Sequence, residues 1–257
     1  DVAPSRGLGD VYKRQILAAV KGKGTTIVKN AAREPEISDL QNFLNAMGAK
    51  VYGCGTPTVV VEGVSRLHGA EYTPIPDRIE AGTFLIAAAM CGGEIEVCNA
   101  DAENIASLLH KLREISCKVW AKDDKIYIRS KDKSLSPNLV ETQPYPGFPT
   151  DLQAQMTALS CVAEGSTLIV ENLFETRFKH VPELIKMGAD ITVRGRSALV
   201  RGVNNLHGAD VVASDLRGGA ALTLAGLAAE GNTTVTDLSY IAVSYTHLRA
   251  HETELHL

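Results

Sequence analysis

The feature that most restricts the fold is an internal repeat. A short strand opening on glycine recurs at Gly24, Gly93, Gly165 and Gly231, in the runs GTTIVKN, GEIEVCN, GSTLIVEN and GNTTVTD, at offsets of 69, 72 and 66 residues. Self-similarity at a near-constant period marks a module that cannot bury its apolar face alone and must stack on copies of itself. Within each unit an amphipathic helix follows the strand. In residues 37–47, Leu40, Phe43, Leu44 and Met47 fall at helical spacing. Gly48 and Gly188 then stop their helices, as a glycine just past the C-terminus does. β-Branched segments come next, at 49–52 and 58–62, 118–120 and 125–129, and 190–193 and 198–200. A second helix closes each unit, at 79–90, 152–163 and 216–229. The first helix keeps a polar face, whereas the second is apolar nearly all round and is expected to be buried. One buried helix per unit of about 70 residues predicts an α/β fold with helices inside and sheets outside, the inverse of the usual α/β barrel, and about three units to enclose the helices. Pro74-Ile75-Pro76 interrupts the pattern and marks a crossover between domains.

The two ends do not follow the repeat. Codons can be chosen so that SRGLGDVY (residues 5–12) and YTHLRAHE (residues 245–252) come from opposite strands of one DNA duplex. Residues 1–15 and 243–257 are therefore read as appended, adaptor-like sequence, and excluded from fold reasoning. His247, His251 and His256 fall in that tail, so their clustering signals no metal site. The expected organisation is 16–76 as the last repeat of a first barrel domain and 77–242 as most of a second.

Net charge is −4, which gives no electrostatic case for nucleic acid or an anionic membrane. No apolar run approaches the roughly 20 residues that span a bilayer. The five cysteines, Cys54, Cys91, Cys98, Cys117 and Cys161, lack metal-ligand spacing and sit mostly in apolar helix or strand contexts. Free thiols of this kind predict a reduced, cytoplasmic protein.

The chemistry-bearing stretch is Tyr145-Pro-Gly-Phe-Pro-Thr-Asp-Leu-Gln-Ala-Gln155. A proline-rich turn delivers Thr150 and Asp151 to the start of an apolar helix. Thr150 and Gln153 have the spacing of a capping box, in which the hydroxyl takes a free backbone N–H and the Gln reaches back. Asp77 and Asp215 recur at the same place before the other apolar helices. Capping alone accounts for such acids. Their recurrence adds a second reading, in which several helix N-termini and their carboxylates face one anion-binding pocket.

Five segments then carry a family resemblance: Asn30-Ala-Ala-Arg-Glu-Pro-Glu-Ile37; Pro76-Asp-Arg-Ile-Glu80 with Gly82-Thr-Phe84; Phe148-Pro-Thr-Asp-Leu-Gln-Ala-Gln155; Phe174-Glu-Thr-Arg-Phe178 with His180-Val-Pro-Glu-Leu184; and Ser214-Asp-Leu-Arg217. In this order they resemble the enolpyruvyl transferases, and among them the UDP-N-acetylglucosamine 1-carboxyvinyltransferases, over about residues 16–241. The resemblance implies two domains, each an inverse α/β barrel of three repeats. It implies transfer of enolpyruvyl from phosphoenolpyruvate to the 3-hydroxyl of UDP-N-acetylglucosamine, the first committed step of peptidoglycan synthesis. Addition and elimination would pass through a tetrahedral ketal, with no cofactor and no metal.

By the same resemblance, Asp151 contacts the sugar hydroxyl and serves as base. Leu173, at a position that is usually Val, contacts substrate through its backbone. Arg177 lies near the substrate, and Asp215 and Arg217 form a cleft Asp-x-Arg. Asp77, Arg78 and the turn from Arg33 to Glu36 lie at the domain junction and its flank. His180 reads as a packed or capping residue.

The family's first half, with its phosphoenolpyruvate-gripping lysine and its proton-donating loop cysteine, has no counterpart here. None of the five cysteines lies in a matching loop, and a later arginine-bearing helix is also lacking. The polypeptide on its own is therefore expected to be inactive. The competing readings are the shikimate-pathway enolpyruvyl transferase and a non-catalytic fragment or scaffold of the same fold.

Overall fold

The computed structural model describes residues 9–130, 137–237 and 239. The appended-sequence reading of 243–257 lies outside the described residues, as do residues 1–8. The chain forms two compact units: one runs to Pro76 and takes in Gln143–Gly147, the other holds Asp77–Thr142 and everything from Phe148 onward.

The first unit runs α1 (Gly9–Val20), β1 (Thr25–Lys29), α2 (Pro35–Ala46), β2 (Lys50–Tyr52) and β3 (Thr58–Glu62). Its sheet is antiparallel in the order β1-β3-β2. Tyr12, Ile16 and Val20 repeat every four residues along α1, and so share one face. That face is buried with Ile37 and Leu44 of α2 and the inward residues Val51, Val59 and Val61. Pro35 occupies the first turn of α2, where its missing N–H costs nothing. Residues 9–15 are thus helical, and Tyr12 belongs to this core. Leu17, Ile27 and Tyr52 are each more than half exposed.

The second unit continues with α3 (Arg78–Cys91), β4 (Gly93–Cys98), α4 (Ala106–Glu114), β5 (Lys118–Lys122), β6 (Lys125–Ser130), β7 (Leu139–Glu141), α5 (Gln153–Val162), β8 (Ser166–Val170), α6 (Val181–Lys186), β9 (Asp190–Arg194), β10 (Ser197–Arg201), β11 (Leu206–His207), β12 (Asp210–Val212), α7 (Leu216–Ala228), β13 (Ala229–Glu230) and β14 (Thr234–Thr236). Helices α3, α5 and α7 pack on one another. Every residue of α5 from Gln153 to Cys161 is buried, so this helix has no solvent face at all. The sheets β4-β6-β5 and β7-β8-β10-β9 and the parallel pairs β11-β13 and β12-β14 supply the rest of the unit. Helices α4 and α6 are amphipathic: Leu108, Leu109, Leu112, Val181 and Leu184 are buried, and Lys111, Arg113 and Lys186 serve the last turns. The inner helices are mostly apolar and largely buried, α5 with four buried polar side chains, and the outer ones are two-faced.

The two units share one module down to individual backbone bonds. Val64 N donates to Val20 O at 2.8 Å, and Val203 N to Cys161 O at 2.7 Å. Gly63 N donates to Gly24 O and Gly202 N to Gly165 O, both at 2.9 Å. His68 N donates to Met47 O and His207 N to Met187 O, again both at 2.9 Å. Helix α1 therefore stands to the first unit as α5 stands to the second. No helix of the described residues is long and apolar enough to cross a membrane.

Candidate active site

The site is built at the N-terminal ends of the inner helices of the second unit. Two of these ends carry the expected caps. Asp77 Oδ1 accepts from Ile79 N at 2.8 Å and from Glu80 N at 3.1 Å at the head of α3. Asp215 Oδ1 accepts from Gly218 N at 2.8 Å at the head of α7. Each carboxylate satisfies N–H groups that the helix leaves unbonded.

The head of α5 is made differently, and the capping box expected of Thr150 and Gln153 does not form. The helix is entered through a 3-10 turn, Thr150–Leu152, with no side-chain cap. Thr150 Oγ1 donates instead to Glu171 Oε2 at 2.9 Å. Gln153 is buried, and among the described residues neither of its amide atoms has a hydrogen-bond partner. The reason is position: Pro149 precedes the 3-10 turn and Thr150 is its first residue, so the Thr150 hydroxyl does not stand at the cap.

Asp151, not needed as a cap, points between two arginines. Arg177 Nη2 stands 2.5 Å from Oδ1, and Arg217 Nη2 stands 3.0 Å from Oδ2. The Asp151 side chain is 38% exposed, while Arg177 is 23% and Arg217 15% exposed, so the anion faces the opening and the cations lie deeper. Burial pushes the Asp151 carboxyl up, but Arg217 and Arg177, helped by Arg78, outweigh it and hold the group below the usual carboxylate range. The Arg177 guanidinium also lies over the Phe174 ring, 4.8 Å from its centroid, which fixes its plane.

Of the residues singled out in the sequence, the structure brings Asp151, Arg177 and Arg217 into one ion-paired cluster. Asp215 lies two residues before Arg217 and caps the helix that carries it, without bonding to Asp151. Leu173 lies on the loop leading to Arg177, and its N–H is committed to Glu171 Oε1 at 2.8 Å. A backbone contact from Leu173 to a substrate therefore falls to its carbonyl.

His180 is packed, as its sequence context suggests. It is buried, and burial together with the nearby Arg177 charge drives its ring down to about 4, against the opposing pull of Asp215 and a bond to the Arg177 backbone. Sequence reasoning missed Glu171 altogether, because one acid at the end of a strand looks like an ordinary solvated residue.

A carboxylate held ionised between two guanidinium groups puts a proton acceptor and two anion-binding cations at one place. Its basicity is coupled to those arginines. An anionic ligand that drew them away would raise the affinity of Asp151 for a proton.

This helix-filled α/β architecture with sheets outside is the enolpyruvyl transferase fold, shared with solved structures. The enolpyruvyl transferase NikO from Streptomyces tendae superposes with a TM-score of 0.84 at 26% identity, over 95% of this chain and 58% of that one. An EPSP synthase from Acinetobacter baumannii gives 0.67 at 18% identity, over 92% of this chain and 58% of that one, a likeness of fold alone. Residues 11–251 match the family model for EPSP synthase (3-phosphoshikimate 1-carboxyvinyltransferase), and the chain belongs to that family.

Two curated relatives are still more similar in sequence. UDP-N-acetylglucosamine 1-carboxyvinyltransferase 2 of Caldanaerobacter subterraneus subsp. tengcongensis is 50% identical over 233 residues, 91% of this chain and 56% of that protein. UDP-N-acetylglucosamine 1-carboxyvinyltransferase of Caulobacter sp. (strain K31) is 52% identical over 233 residues, 91% of this chain and 54% of that protein. The chain thus spans about half the length of the curated relatives it matches.

Proposed function

We propose that the whole protein transfers the enolpyruvyl group of phosphoenolpyruvate to the 3-hydroxyl of UDP-N-acetylglucosamine, releasing phosphate, in cytoplasmic peptidoglycan synthesis. The observation that carries the reading is the Asp151 carboxylate, with one oxygen on Arg177 and the other on Arg217. In the addition step Asp151 accepts the hydroxyl proton as the sugar oxygen bonds to C2 of the enol. The methylene carbon gains a proton from an acid that is not among these residues. Elimination then returns a proton from the new methyl group to the site and expels phosphate from the ketal carbon. Arg177 and Arg217 hold the anionic groups, and Asp215 keeps Arg217 at the head of α7. The Leu173 carbonyl contacts the sugar nucleotide.

The names borne by relatives at 50% and 52% identity favour this acceptor over shikimate 3-phosphate. A phosphate-release assay with each acceptor separates the two readings. The matched region is joined to the segments that precede and follow it in the Caldanaerobacter relative. Release with UDP-N-acetylglucosamine and none with shikimate 3-phosphate is the expected result. The reverse preference overturns the assignment. The 257 residues alone are expected to turn over neither.

A further inference from the structure

Glu171 is a fully buried carboxylate at the end of β8, and four donors converge on it. Oε1 accepts from Thr142 Oγ1 at 2.9 Å, Leu173 N at 2.8 Å and Phe174 N at 3.0 Å, and Oε2 accepts from Thr150 Oγ1 at 2.9 Å. These donors belong to three separate pieces of chain. Thr142 follows β7, and Thr150 opens the turn that carries Asp151. Leu173 and Phe174 begin the loop that carries Arg177. Thr142 Oγ1 in turn accepts from Asn172 N at 2.9 Å, and Asn172 Nδ2 donates to Glu141 Oε1 at 2.8 Å, closing the loop onto the end of β7. Glu171 itself is buried away from solvent, whereas the Asp151 side chain is 38% exposed. The network costs the burial of a charge, which is tolerated only when each lone pair is matched.

We propose that Glu171 is a positioning residue that locks the turn bearing Asp151 and the loop bearing Arg177 to one another, so that the Asp151–Arg177 pair is set before substrate arrives. The inference rests on the reading of Asp151 as the reacting carboxylate, but its geometry does not. Preorganised donors around a reacting group act without reorganisation at the moment of reaction. A loop free to drift would cost rate even with every reacting group present. The Thr150 hydroxyl is the most direct link from Glu171 to Asp151, since Thr150 adjoins Asp151 in the chain.

Three variants test it: Glu171→Gln, Thr150→Val and Thr150→Ser. The first readouts are made on the 257-residue chain without substrate. They are amide exchange at Leu173 and Phe174, and the carboxyl titration of Asp151 followed by carbon-13 NMR. Glu171→Gln is expected to speed exchange at both amides at least about tenfold, as loss of a charge-assisted hydrogen bond does. It is also expected to move the Asp151 titration upward as Arg177 loosens. Thr150→Val is expected to give the same upward shift and Thr150→Ser to restore the original value, which a purely space-filling role for Thr150 would not do. If Glu171→Gln fails to fold, the Thr150 pair decides alone. An unmoved Asp151 titration in Thr150→Val overturns the proposal. In the extended enzyme the same variants should lower kcat more than they raise KM. If the titration and exchange respond but no transfer to UDP-N-acetylglucosamine occurs in the parent, the functional assignment falls and the positioning role stands.

Discussion

Arg217 Nη2 lies 3.0 Å from Asp151 Oδ2, although 66 residues separate the two in the chain. One residue heads α7 and the other precedes α5, and these helices pack directly against each other in the core of the second unit. The contact is a product of the repeat. Stacked modules bring the starts of α5 and α7 together, so a side chain at one start reaches a side chain at the other. The Asp151–Arg217 pair follows from that stacking, and Arg177 joins it from the loop between β8 and α6.

Replacing Asp151 by Asn keeps the shape and removes the charge between Arg177 and Arg217. If Asp151 takes the hydroxyl proton, turnover of the extended enzyme should fall by about 10²–10⁴, the range for loss of a general base. The paired arginines remain available for anions, so substrate affinity should change far less than kcat. Steady-state phosphate release measures both, and turnover within a factor of about three of the parent would remove Asp151 from the chemistry.

Much of this fold is legible in the sequence because its signals are local. Glycine before each strand and an all-apolar second helix put α3, α5 and α7 inside, and each was bounded to within a residue or two. What is not legible depends on partners far along the chain. That the Thr150 hydroxyl serves a carboxylate depends on Glu171, 21 residues later. The pairing of Asp151 with Arg177 and Arg217 likewise requires three elements to meet. The parallel pairs β11-β13 and β12-β14 are only two and three residues long, too short for alternation to show. Residues 9–15 break the sequence pattern yet complete the inner helix of the first unit.

Buried His180 should make stability fall in mild acid. Burial and Arg177 drive its ring down to about 4, whereas an unfolded histidine titrates near 6.5. Between those values the unfolded chain binds a proton that the folded chain refuses. Stability contributed by the neutral ring is therefore complete above about pH 6.5 and is lost as pH falls towards 4, with a slope of up to about 1.4 kcal/mol per pH unit. Below about pH 4 both states are protonated and the loss levels off. Urea unfolding of the parent chain and of His180→Leu, compared from pH 7 to 4, should show the steeper decline only in the parent. Parallel curves would show that His180 does not titrate in this way.

The five thiols should differ widely in reactivity. Burial pushes Cys161 up to about 12 and Cys54 up to about 11, while Cys91 and Cys98 are exposed at the surface. The thiolate is the attacking species, and at pH 8 a thiol at that height is ionised only about once in ten thousand molecules. Iodoacetamide followed by peptide mass mapping should label Cys91 and Cys98 first, with Cys117 and Cys161 labelled only after unfolding. Early labelling of Cys161 would mean that α5 is not the sealed inner helix described here.

The module is also held by a backbone contact that only glycine allows. A Cβ on Gly202 would stand 1.7 Å from the carbonyl oxygen of Ala163, and one on Gly63 would stand 1.8 Å from that of Gly22. Neither obstacle is a flexible side chain, so two backbone segments would have to part. Gly24 makes the contrast: its φ is +81°, but no atom lies within 4 Å of a Cβ built there. Gly24→Ala should therefore cost only the left-handed backbone penalty of about 1–2 kcal/mol. Gly202→Ala should cost about 3 kcal/mol or more, at the upper end for overpacking. Denaturant midpoints of the two variants measure the difference. If Gly202→Ala proved as mild as Gly24→Ala, the close approach of Gly202 to Ala163, and with it the shared construction of the two units, would be wrong.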